Sequence, residues 1–542
     1  MKFRKFTIYA LALSLFAGVA SCESPLKDFN LQISTEVISH SATLRLVNTN
    51  GTPITSATVT LVSGDTEDIY NLSGRKEFSL TDNLITFGVD PKRMPTAADP
   101  IRFRVQIVAP GYITQVVPVA ITDASTGIET VVLAQPTSLP GGATQLAENV
   151  ALATDGSTLQ ATTVAIASPI EGTASNMELT IPAGTQFIGA DGNVVTGSSV
   201  SISVINIDPN HEDAVSLLPG GDLISDQVVL EDGTTQSGAF SSAAVARIVM
   251  LVNGVRIREF SQPIRVTMPI STDYVSPLTN EAVNPGHILQ VFSNSDTDNI
   301  WRWESNTAVQ GTVATGYTVA FDIDHLTFYM VGEFGVSCSS ARNVTFSGDW
   351  MANGSTYPII VETWYAGNLL KTAQFSISAN NATISLLDIP ETGASIVVKN
   401  GAGQELEQGP LAGCGATTTM QLPNPGDATN SVSTLQLYVR CPDQTNPITL
   451  LPTFQMFYRV HGTTEYKYLG AVDNGFLRTT LLNTNGTRYD FKAIWKERVK
   501  VVGDKTIQAD NTATVGIAPG DIIGEKAGAT NLGILTEECG NL

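Results

Sequence analysis

Histidines are the residues of this sequence best suited to acid–base chemistry, and His325 has the most suggestive neighbours of the five. It follows Asp324, and an Asp–His pair can orient a general base or bind a metal. If Phe321 and Ile323 point into a core, however, Asp322 and Asp324 face solvent and His325 lies on the inward side. We therefore interpret His325 as a packed or capped histidine that closes a strand.

Signatures of the common catalytic sites are missing from the sequence. It contains no GxSxG nucleophile turn, no HExxH zinc helix, no phosphate-binding loop and no GxGxxG strand–turn–helix. Without a nucleophile and a base to pair, only a fold analogy would support catalysis, and a fold does not determine a function. We expect that the protein is not an enzyme.

Two acidic loops offer the clustered oxygen ligands that Ca²⁺ prefers. SNSDTDN (293–299) places Asp296 and Asp298 two residues apart, and DPNHED (208–213) is the second loop. Neither loop matches the EF-hand pattern, and both also fit ordinary solvated turns. We expect no cofactor; if a structural Ca²⁺ binds, Asp296 and Asp298 are its predicted ligands.

Trp301 and Trp303 are the candidates for ligand binding, because exposed aromatic rings present flat apolar faces to sugars. They are two residues apart in WRWES (301–305), so in a strand both would lie on one face. A sandwich core also needs such rings, and this is the alternative role for both residues.

Four cysteines follow Cys22, and an even number in an exported chain suggests two disulfides. Three pairings are open, and we favour Cys338–Cys414 with Cys441–Cys539. Cys338 and Cys441 each end an alternating apolar run, so both are expected to point inward from strands. A zinc site is the alternative, but no CxxC spacing or histidine cluster supports it.

The elements that would position these residues are predicted to be strands. Apolar residues recur with period two, and long helical periodicity is not seen. In residues 101–107 the apolar side alternates with Arg102, Arg104 and Gln106, which we expect to face solvent. Asn-Gly and Asp-Gly pairs punctuate the runs as hairpin turns. Residues 241–252 fit a helix or a strand, and we favour a strand.

The amino terminus has the pattern of an export signal. Lys2, Arg4 and Lys5 precede an uncharged apolar run, Phe6–Ala20, that is too short to span a bilayer. Val19-Ala20-Ser21-Cys22 is similar to the lipobox of bacterial lipoproteins, and in that family the cysteine thiol takes a diacylglycerol. The resemblance implies a signal peptide (1–21), a lipid on Cys22 and a tether over residues 22–41. The acidic Glu23 favours the cell surface of the outer membrane over its periplasmic face.

The composition is β-rich and acidic. The full chain has 30 Lys and Arg against 51 Asp and Glu, and removal of residues 1–21 takes away three of the basic groups. A negative surface argues against nucleic acid as a partner, because that requires a basic footprint.

Linkers divide the chain into four predicted β-sandwich units, 42–135, 149–336, 342–420 and 432–542, of which the second could hold two subdomains split at Gly220-Gly221. In the first unit, ATLRLVNTNGTPITSATVTLV (42–62) and IRFRVQIVAPGYITQVVP (101–118) resemble the carboxypeptidase regulatory-like, transthyretin-type domain. Residues 342–403 look like a weaker second copy. The fold class expected is all-β, with tandem Ig-like or transthyretin-like sandwiches after a lipoprotein signal.

Together these features resemble an envelope lipoprotein of the Bacteroidetes type. The implied function is non-catalytic binding, adhesion or a structural role at the outer membrane. The implied partners are the membrane, through the lipid, and other envelope proteins or glycans. The alternative is a glycan-binding surface lipoprotein of a polysaccharide-uptake system.

Overall fold

A computed structural model describes residues 31–34, 38–123, 127–136, 138–170, 173, 175–294, 299–426, 431–441, 448–515 and 529–540. The chain forms two compact units: unit 1 joins Met1–Val37 to Asn430–Leu542, and unit 2 is Ile38–Thr429. Strands make up almost all of the regular structure, so the predicted all-β fold of tandem sandwiches is confirmed. The first strand, β1 (Leu31–Ser34), belongs to unit 1.

The first module of unit 2 is a two-layer sandwich. Its strands are β2 (Ser41–Asn48), β3 (Thr58–Gly64), β4 (Ile69–Tyr70), β5 (Leu84–Val89), β6 (Ile101–Val108), β7 (Gln115–Ile121) and β8 (Ile128–Leu133). One layer has the order β4-β5-β2-β8, and the other has the order β3-β6-β7. Alternating apolar residues of both layers close the core, where the rings of Phe87 and Phe103 meet at 5.3 Å.

The central module is built on one thirteen-stranded sheet. It contains β9 (Ala143–Ala151), β10 (Thr162–Ile166), β11 (Met177–Ile181), β12 (Phe187–Gly189), β13 (Ser199–Ile207), helix α1 (Glu212–Val215), β14 (Ile224–Val229), β15 (Thr235–Val252), β16 (Val255–Ile270), β17 (Val275–Ser276), β18 (Glu281–Ala282), β19 (Ile288–Asn294), β20 (Trp301–Ala308), β21 (Gln310–Thr312), β22 (Gly316–His325) and β23 (Phe328–Val336). Strands on both sides of Gly220-Gly221 join this sheet. Residues 241–252 are strand, as predicted, and they belong to β15.

The third module shares a sheet with the first. Its strands are β24 (Arg342–Ser347), β25 (Tyr357–Tyr365), β26 (Asn368–Ile377), β27 (Thr383–Leu386), β28 (Ala394–Asn400), β29 (Glu405–Pro410) and β30 (Thr418–Gln421). β26 pairs with β8, where Ala373 is opposite Glu129, and this pairing gives an eight-stranded sheet of order β29-β28-β25-β26-β8-β2-β5-β4. Two units that the sequence analysis treated as separate sandwiches, 42–135 and 342–420, therefore share one continuous sheet.

Ion pairs join the three modules at a common junction. Arg104 of β6 donates to both carboxylate oxygens of Asp226, at 2.7 and 3.2 Å. Arg102 bonds to Asp388 at 2.7 Å. The expectation that both arginines face solvent is wrong for Arg104, which is only 5% exposed. The central module covers that side of the sheet, and its Asp226 neutralises the buried guanidinium.

A further carboxylate, Asp222, lies at the same junction. Lys371 of β26 bonds to Glu129 of β8 at 2.8 Å, and Asp222 lies close to both. Burial raises the pKa of Asp222 to about 7, while Lys371 acts to lower it and Glu129 to raise it. Burial acts to lower the pKa of Lys371, but the charges of Glu129 and Asp222 outweigh it and raise that pKa.

The described residues of unit 1 form two sheets and a helix. Beyond β1, its elements are β31 (Ser433–Arg440), β32 (Ile448–Leu451), β33 (Phe454–Val460), β34 (Lys467–Val472), β35 (Phe476–Thr479), β36 (Arg488–Trp495), β37 (Arg498–Thr506), β38 (Asp510–Val515) and helix α2 (Ala529–Gly540). β1, β32, β31, β35 and β38 form one sheet, and β34-β33-β36-β37 form the other. Leu469, Tyr489 and Phe491 contribute to the core between them.

Two expectations are corrected in unit 1. The tether predicted over 22–41 is not tether throughout, because residues 31–34 pair in parallel with Ile448–Leu451. Strand pairing satisfies backbone groups that a tether would leave to water. The predicted C-terminal sandwich also ends in a helix, which brings Cys539 to Cys441 and buries Ile534 and Leu535.

Candidate functional site

His325 and three side chains near it, Ser293, Glu304 and Asp324, form the group that we call the His325 cluster. His325 Nδ1 lies 2.7 Å from Asp324 Oδ1, and Nε2 lies 3.7 Å from Glu304 Oε1. Ser293 Oγ donates to Glu304 Oε1 at 2.5 Å. The imidazole is 34% exposed and Asp324 is 81% exposed, so the cluster opens to solvent.

Strand geometry brings these residues together. β22 alternates as predicted, with Phe321 and Ile323 buried and Asp324 exposed, and it ends at His325. Glu304 has no partner in the β19–β20 register, which jumps from Ser305 to Trp303. Such a bulge re-aims a side chain, here beside the imidazole.

Tyr329 fixes the backbone at the end of β22. Its hydroxyl donates to the carbonyl oxygen of His325 at 2.7 Å, and the two rings lie 5.6 Å apart. Burial, followed by the charges of Glu304 and Asp324, raises the pKa of Tyr329, so the hydroxyl keeps its proton. His325 therefore closes a strand as expected, but about a third of its side chain stays accessible.

Both ring nitrogens of His325 are directed at carboxylate oxygens. Each ring nitrogen of His325 meets a carboxylate oxygen, whereas a catalytic base must face the group that it deprotonates. The Ser293 hydroxyl is buried and donates to Glu304. Within the described ranges, no group of three or more His, Cys, Asp or Glu side chains could hold a metal ion.

The two candidate tryptophans differ. Trp301 is 3% exposed, and its ring lies 5.3 Å from Phe240, so its predicted role in ligand binding is wrong. The sheet is covered on that side, and the indole fills the core instead. Trp303 is half-buried beside Glu304, and its Nε1 lies 3.5 Å from Asn306 Oδ1. Only Trp303 remains available to a ligand.

Three other predicted site residues, Cys22, Asp296 and Asp298, lie outside the described residues. The disulfides are described: Cys338 is bonded to Cys414 and Cys441 to Cys539, with Cα separations of 5.5 and 5.4 Å. This is the pairing that the sequence analysis favoured.

A buried acid in the central module was not anticipated. Glu333 Oε1 accepts from Ser276 Oγ at 3.0 Å and lies 3.2 Å from His287 Nε2. Glu333 Oε2 is buried and has no hydrogen-bond partner among the described residues. The three residues come from three separate strands or turns, so no local sequence pattern could have found them.

A second unanticipated group lies in unit 1. Asp490 accepts from His461 Nδ1 at 2.7 Å and from Arg459 Nε at 2.9 Å. The hydrogen bond from His461, then that from the Asp504 amide, lowers the pKa of Asp490 to about 2. Asp490 lies between the buried Tyr489 and Phe491 in β36, and His461 is 29 residues away in the sequence.

Comparisons with known proteins leave the family open. No family model and no curated protein matches this chain. Among solved structures, the chain is similar to one described as the Bacillus anthracis TIE protein, at 9% identity and a TM-score of 0.13. The match covers 78% of this chain and 55% of the other, so the chain spans about half of that protein. In the described part, no helix is long and apolar enough to cross a membrane.

Proposed function

We propose that this protein is a lipid-anchored, non-catalytic protein of the outer membrane that holds a rigid binding body at the cell envelope. The observation that carries the proposal is the construction of unit 2. One eight-stranded sheet runs through the first and third modules, and the buried Arg104–Asp226 ion pair attaches the central module. A body built in this way keeps its modules in fixed relative positions, which suits display or structural support.

Charge and motif patterns support the remaining parts of the proposal. The lipobox-like Val19-Ala20-Ser21-Cys22 supports the anchor. The Glu304 carboxylate, 3.7 Å from His325 Nε2, supports a non-catalytic role, because a nucleophile would have to approach that nitrogen. The surface is acidic, so nucleic acid is not proposed as a partner.

The anchor predicts a defined chemical product. We expect the full chain, expressed in a Gram-negative host with radiolabelled palmitate, to incorporate label and to fractionate with membranes. Its mass should correspond to a chain beginning at Cys22 with covalently bound lipid. Multiple acyl chains give stable anchoring, so high salt should not release the protein.

The control for anchoring is Cys22→Ala, which should take up no label and should not be cleaved at this position. An unlabelled wild-type chain, or one that begins elsewhere, would remove the anchor from the proposal. The fold of unit 2 would not be affected by that result.

A glycan is the second candidate ligand, and the His325 cluster with Trp303 favours it. Large exposed apolar side chains, such as Met94, Leu159, Val313 and Val501, are spread over several modules. This distribution argues against adhesion through one apolar patch. Trp303 is half-buried and next to Glu304 in the sequence; its indole offers a stacking surface, and the carboxylates and imidazole of the cluster offer hydrogen-bonding groups.

Substitution of Trp303 tests the glycan candidate. We expect glycan-array signals of the wild-type protein to fall about two- to twelvefold in Trp303→Ala, because an aromatic stacking contact contributes roughly 0.5–1.5 kcal/mol. The matched control is Phe476→Ala, which removes an exposed ring from unit 1. An array without hits, or equal losses in both variants, would rule out this site.

A further inference from the structure

We propose that the outer face of the β34-β33-β36-β37 sheet of unit 1 contacts the phosphate-bearing lipid headgroups of the leaflet that holds the anchor. This inference deepens the proposed function and rests on the lipid at Cys22. It assigns the membrane-facing surface to a sheet for which no role was anticipated. Chain connectivity, charge and side-chain chemistry each support it.

Connectivity places unit 1 at the membrane. Leu31 begins β1, and β1 is a strand of unit 1 through its pairing with β32. Leu31 is nine residues after Cys22, so the intervening chain can reach at most about 30 Å. A lipid on Cys22 would therefore keep the five-stranded sheet of unit 1 within about one domain diameter of the bilayer.

Charge is distributed unevenly between the units. Residues 38–429 contain 15 Lys and Arg against 37 Asp and Glu, whereas residues 430–542 contain 11 of each. The four strands of the sheet contain seven Lys and Arg and two Asp. An anionic surface therefore repels unit 2 but attracts this sheet.

The outer face of the sheet combines cations with aromatic rings. Arg459 lies opposite Asp490 in the strand register, and Lys492 lies opposite Phe457. The guanidinium of Arg459 and the ammonium of Lys492 lie 4.5 and 4.6 Å from the centre of the Tyr466 ring. Cations held on aromatic rings keep their charge at the surface while their apolar stems pack.

The rest of this face fits an interface with headgroups. Arg488 is exposed and pairs with Asp504, and it lies on the same side of β36 as Lys492. Val501 lies opposite Lys492 in the register and is 54% exposed. Asp490 and Asp504 are the carboxylates of the face, and each is bonded to an arginine. Arg488 and Val501 are exposed, Tyr466 and Lys492 are half-buried, and Phe457 is buried. Accessible cations beside apolar and aromatic groups are typical of surfaces that lie on membranes.

Vesicle binding by the unlipidated chain, residues 23–542, tests the inference separately from the anchor. We expect this chain to sediment with vesicles of 30% phosphatidylglycerol in phosphatidylcholine and not with pure phosphatidylcholine. Arg488→Gln with Lys492→Gln should lower the partition coefficient about 25-fold, because each cation near an anionic surface contributes roughly fivefold. The matched control, Lys92→Gln with Arg93→Gln, removes two exposed cations of unit 2 and should change little.

The outcomes separate the two proposals. Equal binding to both vesicle types, or equal losses in the two double variants, would overturn the assignment of this sheet. Binding of the wild-type chain should also weaken as the salt concentration is raised from 0.05 to 0.5 M. Because this test needs no variant, salt-independent binding would overturn the assignment of this sheet even if a variant failed to fold. A chain that takes up palmitate but ignores anionic vesicles refutes only this inference. A chain that binds vesicles but takes up no palmitate refutes the anchor and, with it, the assignment of this sheet to the anchored leaflet, and leaves only an affinity of the sheet for anionic lipid.

Discussion

Arg104→Met is expected to destabilise unit 2 by about 3–5 kcal/mol, the range measured when one partner of a buried ion pair is removed. The guanidinium makes two hydrogen bonds to Asp226, and both side chains are largely buried. Without Arg104, the carboxylate of Asp226 would be left in the junction without its main counter-charge. Chemical denaturation followed by tryptophan fluorescence would measure the loss.

Two further variants separate charge from packing in this experiment. Arg104→Met with Asp226→Leu should recover much of the stability, because replacing a whole buried pair by apolar groups is often neutral. Arg265→Met removes an exposed partner of Asp322 and should cost less than about 1 kcal/mol. If the double variant were as unstable as Arg104→Met alone, lost packing would explain the effect instead.

Asp222→Asn is expected to stabilise the protein above pH 7. The pKa of Asp222 is raised from an ordinary 3.8 to about 7, so the folded state binds a proton that the unfolded state releases. The contribution of this bound proton to the free energy of unfolding is fully present below about pH 4 and is lost as the pH rises to about 7. Asparagine mimics the protonated carboxyl at every pH. The increase in the free energy of unfolding of Asp222→Asn at pH 8 therefore has an upper bound of about 4 kcal/mol.

Denaturation curves between pH 4.5 and 9 would show this effect as a flatter pH dependence in Asp222→Asn. The control is Asp232→Asn at an exposed turn, where hydrogen bonds from Thr234 lower the pKa of the carboxyl and no gain is expected. A loss of stability in Asp222→Asn at pH 8 would mean that Lys371 holds Asp222 in its ionised form.

Local patterns in the sequence were sufficient to predict most of the strands. The alternation in residues 317–323 correctly predicted which side of β22 is buried, since period-two burial depends only on one strand and one core. The same alternation in residues 101–107 identified β6 but placed Arg104 in water. A second module covers that face, and no pattern within β6 carries this information.

The candidate site shows the same limit. Asp324 and His325 are neighbours in the sequence, which suggested an Asp–His pair, but the strand pattern favoured opposite sides for them and their contact was not predicted. Glu304 reaches the imidazole only through a bulge in β20, and the pairing of β26 with β8 joins residues about 245 apart. Contacts of this kind depend on the register between distant strands, which composition and periodicity do not determine.

The parallel pairing of β1 with β32 has a consequence for biosynthesis. Unit 2 is inserted between the two segments of unit 1, so β1 emerges first and waits for a strand more than 400 residues later. Unit 2 can fold while the chain is still being made, because domains generally fold as units in the order of synthesis. A nascent chain released before residue 430 would leave β1 as an unpaired edge, which is a template for aggregation.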